Sequence, residues 1–231
     1  MNFFVKPGEQ SEACFSAASA SKSLSQTNGL PPPVVILAAG DYPTHPVPLG
    51  VLQRAATVVC LDSAADAYQQ HTGRLPHYAV GDADSIAPTT RQRLGEHYIY
   101  DAEQDTNDLC KAVRFLLRNN VRQATILGAT GRREDHTLGN IFHLPELARQ
   151  LSLTMLTNYG AFYPCHGYSE HRVAVGTQVS VFNINATELH SIGLRWPIKP
   201  FNALWQGTLN EATASQITIE ANGDYLLFFS Y

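Results

Sequence analysis

ATILGATGRREDHTLGN, residues 124–140, contains a short apolar run, a turn with two glycines and the start of a helix. Five further apolar runs lie before or after this unit, and a turn follows each: VVILAA (34–39), TVVCL (57–61), HYAV (77–80), HYIY (97–100) and LTMLT (153–157). Such runs, alternating with helical stretches, are typical of parallel strands covered by helices. The sequence therefore predicts an α/β domain with a parallel sheet over residues 34–157.

Two helices of this domain can be predicted in some detail. The first runs from about Thr106 to Arg118, where apolar residues recur at helical spacing, and Asp105 is its expected N-cap. The second begins near Asp135, and Pro145 favours a kink or a break in it. Its core-facing residues are predicted to be Leu138, Ile141, Phe142 and Leu147.

A different pattern begins after Asn158, where apolar residues alternate with polar ones: RVAVGTQVSVFNI (172–184), QITIE (216–220) and YLLFFSY (225–231). Alternation of this kind predicts antiparallel strands with one buried face. Asn222 and Gly223 suit a tight hairpin between the last two strands because both tolerate positive φ. We expect a smaller all-β sandwich over residues 158–231, and a tail or loosely attached segment over residues 1–33.

Composition and charge exclude several classes of function. The formal charge is -4 and the basic residues are dispersed, which argues against nucleic acid as a partner. No apolar stretch reaches the length of a membrane span, so no membrane association is expected. The four cysteines are widely spaced and lack metal-ligand patterns, which favours reduced thiols and a cytoplasmic location: Cys14, Cys60, Cys110 and Cys165.

Acidic residues follow several of the predicted strands. In an open parallel sheet the ligand crevice lies outside the carboxyl ends of the strands, so these groups should converge. In GDADS (81–85), alternate residues of an extended chain point the same way, and Asp82 and Asp84 could offer oxygens to one hard cation. The full acidic set is Asp41, Asp62, Asp82, Asp84, Asp105, Asp108 and Asp135.

The segment EQDTND (103–108) opens the first predicted helix. A carboxylate in a first helical turn is favoured by capping and by the helix dipole, which explains Asp105 without any ligand. Asp108 lies past the usual cap position and is the better ligand candidate. Gln104 could supply an amide to a heterocycle.

The turn GATGRREDHTLGN (128–140) favours contact with an anion. Its glycines let backbone approach a ligand closely, and an arginine there can fork onto phosphate oxygens. His136 by itself is better explained as a hydrogen-bonded structural histidine than as a base. The GxxxxGK[ST], GxGxxG, GxSxG and HExxH motifs are missing from the sequence. The residues thus predict a magnesium-dependent enzyme that transfers or releases phosphate.

Taken together, five motifs resemble the thiamine pyrophosphokinase family over roughly residues 34–231: LDSAAD (61–66), GDADS (81–85), QDTND (104–108), GRREDHTLGN (131–140) and GLRWPI (193–198). The resemblance implies an α/β nucleotide-binding domain, followed by a β-sandwich that binds thiamine and forms a homodimer with a shared active site. It also implies Mg²⁺-dependent transfer of diphosphate from ATP to the thiamine hydroxyl, with release of AMP.

The resemblance assigns roles to individual residues. Asp82, Asp84 and Asp108 become the metal and phosphate residues, and Arg133 and Asp135 match the family's GGRxDH motif; these five are the expected catalytic set. On the nucleotide side it implies Asp62, Gln104, Arg133, His136 and Asn140, with Gln104 near the thiamine pyrimidine. On the thiamine side it implies Trp196 and Asn210.

Four departures from the family pattern leave alternatives open. Arg132 and Ser63 stand where the family has glycine, Asn107 where it has threonine, and Leu209 where it has a serine near the substrate. Because of Leu209, two other functions are considered. The protein could catalyse the same reaction on another hydroxymethyl heterocycle such as a pterin, or it could bind thiamine or a nucleotide without catalysis. The acceptor of the hydroxyl proton could be Asp135 or Asp84.

Overall fold

The computed structural model describes residues 29–231, so most of the predicted N-terminal tail lies outside it. The first part alternates strands and helices. Its elements are β1 (Val34–Leu37), α1 (Pro46–Arg54), β2 (Thr57–Leu61), α2 (Ala64–Thr72), β3 (Tyr78–Gly81), α3 (Pro88–Leu94), β4 (Tyr98–Tyr100), α4 (Asp108–Arg118), β5 (Gln123–Leu127), α5 (Glu134–Leu147) and β6 (Ser152–Leu156).

These six strands are parallel, in the order β6-β5-β1-β2-β3-β4, with β1 between β5 and β2. Alternate residues of β1 point to opposite faces: Ile36 packs with α4 and α5, and Leu37 packs with α1, α2 and α3. Helices therefore cover both faces, and the predicted α/β class is confirmed. All the strand carboxyl ends meet at one edge of the sheet.

The second part consists of antiparallel strands. They are β7 (Gly160–His166), β8 (Ser169–Arg172), β9 (Gln178–Asn183), β10 (Leu189–Ile192), β11 (Asn210–Glu211), β12 (Gln216–Ala221) and β13 (Asp224–Ser230). The order β11-β9-β13-β7 continues the parallel sheet through pairing of β7 with β6, which gives ten strands. The other three, β10-β12-β8, form the opposite layer of a sandwich. The boundary predicted near residue 158 lies in the turn between β6 and β7, and a division into two domains stays a prediction.

A buried carboxylate joins the two parts. Asp224 at the start of β13 accepts hydrogen bonds from Arg149 (2.5 Å), His166 (2.9 Å) and Asn185 (3.0 Å). Burial raises the pKa of Asp224, but these hydrogen bonds outweigh it and hold the pKa below its usual value. Since Arg149 follows α5, the contact fastens the end of that helix to the sandwich.

Several local predictions were wrong, for identifiable reasons. The N-cap of α4 is Asn107, whose Oδ1 accepts from Cys110 N at 3.0 Å, so Asp105 does not cap the helix. Asn222 and Gly223 do not form a hairpin because β12 and β13 belong to different sheets. Gly223 is needed for close approach, since a Cβ there would lie 2.5 Å from Asn185 Oδ1. Leu138 is exposed, because α5 contacts the core only from Ile141 onward.

The cysteines only partly match the prediction of reduced thiols. Cys60 is buried and free, and Cys165 is partly buried and free. Cys110 is disulfide-bonded, so the prediction was wrong at this position. Between residues 29 and 231, no helix has the length and apolar character needed to cross a membrane.

Candidate active site

Three carboxylates converge where β2 and β3 end. Oxygens of Asp62, Asp82 and Asp84 lie within 4.8 Å of one another. The strand ends can approach closely because β3 finishes in Gly81, where a Cβ would lie only 2.8 Å from Asp62 Cβ. Ala83 has a φ of 71°, a strained conformation for a residue with a side chain. Backbone strain of this kind is concentrated at functional sites.

Asp62 is fixed by three hydrogen bonds. The Tyr98 hydroxyl donates to its Oδ1 at 2.7 Å, and the Ser85 backbone N–H and hydroxyl donate to its Oδ2 at 2.9 and 2.6 Å. Asp62 is only 2% exposed. These contacts connect the loop after β3 to the end of β2 and hold the carboxylate in one orientation.

Asp82 and Asp84 differ in their surroundings. Gln104 Nε2 donates to Asp82 at 2.9 Å, and this bond is the main reason that the pKa of Asp82 is lowered. Partial loss of hydration and the neighbouring Asp82 and Asp62 raise the pKa of Asp84. Crowded carboxylates that repel one another in this way are stabilised by a cation.

Asp108 lies in the first turn of α4, outside this group of three, and pairs with a buried lysine. Lys111 Nζ lies 3.2 Å from Asp108 Oδ1 and 4.0 Å from Asp82 Oδ2, and its side chain is 2% exposed. Burial raises the pKa of Asp108, while Lys111 opposes that rise. The ammonium group therefore connects the helix N-terminus with the carboxylates at the strand ends.

Lys111 was missed in the sequence, although a signal was present. Helical spacing places Lys111 on the face opposite the apolar stripe, where a lysine is expected in solvent. The signal was its position three residues after Asp108, where an i, i+3 ion pair can form.

The glycine turn after β5 lies at the same edge of the sheet, next to the end of β1. Gly131 has a φ of 82°, and a Cβ there would lie 2.1 Å from Asp41 Oδ2, so only glycine fits. Arg133 donates through Nε and NH2 to the two oxygens of Asp135, at 3.1 and 2.6 Å, and both side chains are exposed. Arg133 lowers the pKa of Asp135 to about 2. The guanidinium thus pairs with a carboxylate only two residues further along the chain.

Two more of the expected nucleotide-side residues belong to this turn. His136 is exposed and has no hydrogen-bond partner for its ring among residues 29–231. Asn140 donates to the Ala129 carbonyl at 2.9 Å and so helps to hold the turn in place.

The expected thiamine-side residues lie in the sandwich. Asn210 is buried, and its amide accepts from Trp196 N (3.1 Å) and donates to Trp196 O (2.7 Å). Asn210 therefore positions Trp196, whose ring is 55% exposed beside a groove of about 260 Å³. Leu209 in the same groove has a φ of 62° and is 75% exposed, and Trp205 nearby in sequence is also exposed.

Comparison with protein-family models gives two matches in chain order. Residues 50–155 match "Thiamin pyrophosphokinase, catalytic domain" and residues 160–228 match "Thiamin pyrophosphokinase, substrate-binding domain", which together cover more than half of the chain. The chain belongs to the thiamin pyrophosphokinase family. The resemblance carried by the five motifs is confirmed.

Curated relatives in the thiamin pyrophosphokinase family match over shorter stretches. Thiamine pyrophosphokinase of Bacillus subtilis (strain 168) is 40% identical over 73 residues, 30% of this chain and 34% of the relative. Thiamine pyrophosphokinase 1 of Oryza sativa subsp. japonica is 38% identical over 76 residues, 29% of each chain. The matched region thus spans about a third of the length of these curated relatives.

Solved structures of thiamin pyrophosphokinases share the fold. The enzyme from Bacillus subtilis superposes with a TM-score of 0.69 at 22% identity, covering 85% of this chain and 98% of that one. The yeast enzyme gives 0.69 at 15% identity, covering 85% of each chain. The predicted combination of an α/β part with a smaller antiparallel part is confirmed.

Proposed function

We propose that the protein transfers diphosphate from ATP to the hydroxyl of thiamine, giving thiamine diphosphate and AMP. The observation that carries the proposal is the set of carboxylates at the ends of β2 and β3, close to Lys111 and on the same sheet edge as the Gly131 turn. Hard oxygen ligands beside a phosphate-binding turn suit phosphoryl chemistry. Membership of the thiamin pyrophosphokinase family supports thiamine as the acceptor.

The residues present fit a magnesium ion. Asp62, Asp82 and Asp84 offer closely spaced oxygens, and their mutual repulsion favours a divalent cation. We assign Asp82 and Asp84 as ligands, completed by Asp108 as the family motifs imply or by Asp62 as the spacing favours. Bound Mg²⁺ would neutralise charge on the diphosphate and orient it.

The chain's own groups account for positioning the reactants. Lys111 and Arg133 supply positive charge for the ATP phosphates, and His136 and Asn140 border the same turn. The acceptor of the thiamine hydroxyl proton is one of two carboxylates: Asp135, which accepts two hydrogen bonds from Arg133, or Asp84, through an oxygen that does not bind the metal. Gln104, which donates to Asp82, is assigned to orient the pyrimidine of thiamine, because its amide lies beside a metal ligand.

We assign thiamine binding to the sandwich, and we propose that the sandwich of one subunit completes the site of the other in a homodimer. Trp196 and Leu209 line one groove and are exposed, which gives an apolar surface of the kind that marks an interaction site. In our proposal this surface stacks on thiamine held against the carboxylates of a second copy. Chromatography with light scattering tests the dimer.

A mixing experiment tests the shared site. Asp82→Ala and Trp196→Ala homodimers should each be inactive, whereas mixed dimers contain one site with neither substitution. Random mixing should therefore restore about a quarter of the wild-type activity. No recovery after subunit exchange, with mixed dimers verified by mass spectrometry, would contradict a shared site.

The activity itself is tested by measuring AMP and thiamine diphosphate formed from ATP and thiamine, with and without Mg²⁺. Asp82→Ala and Asp108→Ala should abolish turnover and retain the far-UV spectrum, and Glu220→Gln, at an exposed position of β12, should behave as wild type. Failure of the wild-type protein with thiamine would overturn the substrate. Near-normal turnover of either aspartate variant would overturn the metal assignment.

A cytoplasmic location belongs to the same proposal. The free thiols of Cys60 and Cys165 support it, while the disulfide at Cys110 does not. Cell fractionation tests it.

A further inference from the structure

A second concave region lies between α1 and α2 on one face of the sheet. It encloses about 890 Å³, within the usual size range of small-molecule sites. None of the three clustered carboxylates, and no residue of the Gly131 turn, belongs to its lining. The groove therefore shares no lining residue with the proposed reaction centre.

The charge of the groove favours an anion. Its lining includes Arg74, His71 and His77 but no aspartate or glutamate, although the formal charge of the protein is -4. Within the described part of the chain, the Arg74 guanidinium has no ion pair and no hydrogen bond. A guanidinium without a carboxylate partner is a ready donor to carboxylate or phosphate oxygens.

The walls of the groove favour a planar ring. The rings of Tyr42 and His71 stack at 3.8 Å with an interplanar angle of 6°, and Tyr68 lies in the same lining. Leu52 and Leu75 supply an apolar wall. Aromatic and aliphatic surface of this kind holds flat apolar groups, and the few polar atoms set their orientation.

The hydrogen bonds of the two histidines determine which ring nitrogen donates and which accepts. His77 Nδ1 accepts from Val58 N at 3.0 Å, so the proton of its neutral ring is on Nε2. His71 Nδ1 lies 2.8 Å from the Ala67 carbonyl and donates to it, which leaves Nε2 as an acceptor in the neutral ring. The groove thus offers an Nε2–H donor at His77 and an acceptor at His71, besides the Arg74 guanidinium.

We propose that the groove between α1 and α2 is a binding site for a planar aromatic molecule that carries one anionic group. The ring stacks on an outer face of the Tyr42–His71 pair, and the anion meets Arg74 and His77. The site is independent of the proposed transferase reaction.

The test is calorimetric titration of the full-length protein, in EDTA, with 1-naphthyl phosphate and 1-naphthoate. Neutral 1-naphthol and inorganic phosphate serve as comparison ligands. We expect 1:1 binding of at least one aromatic anion, weaker by about tenfold in Arg74→Gln and in Tyr42→Leu, because a charge-assisted bond or the stacked ring is lost. Arg54→Gln, an exposed arginine of α1 outside the lining, should bind as wild type.

The Asp82→Ala variant tests whether the groove is independent of the reaction centre. It should bind the aromatic anions with unchanged affinity. The relative affinities of phosphate and carboxylate probes identify the preferred anion. The proposal is overturned by lack of saturable binding of both aromatic anions, by equal affinity in Arg74→Gln, or by loss of binding in Asp82→Ala.

Discussion

Replacing Lys111 by methionine tests whether this lysine neutralises the carboxylates while no metal is bound. The substitution keeps an unbranched side chain but removes the ammonium group 3.2 Å from Asp108 and 4.0 Å from Asp82. Breaking a buried ion pair by deleting one partner costs about 3–5 kcal/mol. Because the Asp108 side chain is 36% exposed, solvent screening reduces this, and we expect a loss of about 2–3 kcal/mol in unfolding free energy.

The measurement is urea denaturation followed by circular dichroism, in EDTA and again in saturating Mg²⁺. The difference between Lys111→Met and wild type should shrink in Mg²⁺, since the divalent cation then supplies the missing positive charge. Arg118→Met, at the exposed end of the same helix, should change stability by less than about 0.5 kcal/mol in both solutions. Equal stability of Lys111→Met and wild type in EDTA would refute the reasoning. So would a deficit that Mg²⁺ leaves unchanged.

Three further outcomes are expected. Because the pKa of Asp224 is lowered in the folded state, its stabilisation is present above the unfolded value and lost as pH falls through the folded one. Asp224→Asn should therefore cost about 1.5–3 kcal/mol at pH 7 and progressively less as the pH is lowered below about 3.9 in urea titrations, and a loss that does not change with pH would contradict this. Leu209→Gly should raise unfolding free energy by about 0.5–1 kcal/mol by relieving the left-handed backbone, whereas a decrease would show that no strain is stored there. Tyr98→Phe should weaken Mn²⁺ binding several-fold in electron paramagnetic resonance titrations by releasing Asp62, with Tyr100→Phe as the unaffected control; equal Mn²⁺ affinities would argue against a positioning role.

The parts of the fold that were predictable are those encoded in local patterns. Each strand of the parallel sheet is a short apolar run followed by a turn, so its existence and position could be inferred from neighbouring residues alone. Pairing between strands that are distant in sequence cannot be inferred from a local pattern of this kind. The continuation of the sheet from β6 through β7 to β13, and the placement of β12 and β13 in different layers, depend on contacts far apart in sequence.

In the candidate site, too, some features could be inferred from local sequence and others depend on the folded structure. The spacing of Asp82 and Asp84 indicated that both could bind one cation, and the structure brings these two residues together with Asp62. The burial of Lys111 could not be predicted, because helical spacing places this residue opposite the apolar stripe of α4. Its spacing of three residues from Asp108 indicates only that the two can form an ion pair. Asn107 rather than Asp105 caps α4, because the cap depends on where the helix begins, and a helical pattern alone does not fix its first residue.

The position of β13 has a consequence for synthesis of the protein. This strand pairs with β7 over seven residues and with β9 over five, yet it follows both in the chain. A nascent chain that has reached only β12 can complete the parallel sheet but leaves β7 and β9 without the strand between them. Unpaired strand edges are aggregation-prone, so the interval before β13 emerges from the ribosome is when this chain most needs a chaperone.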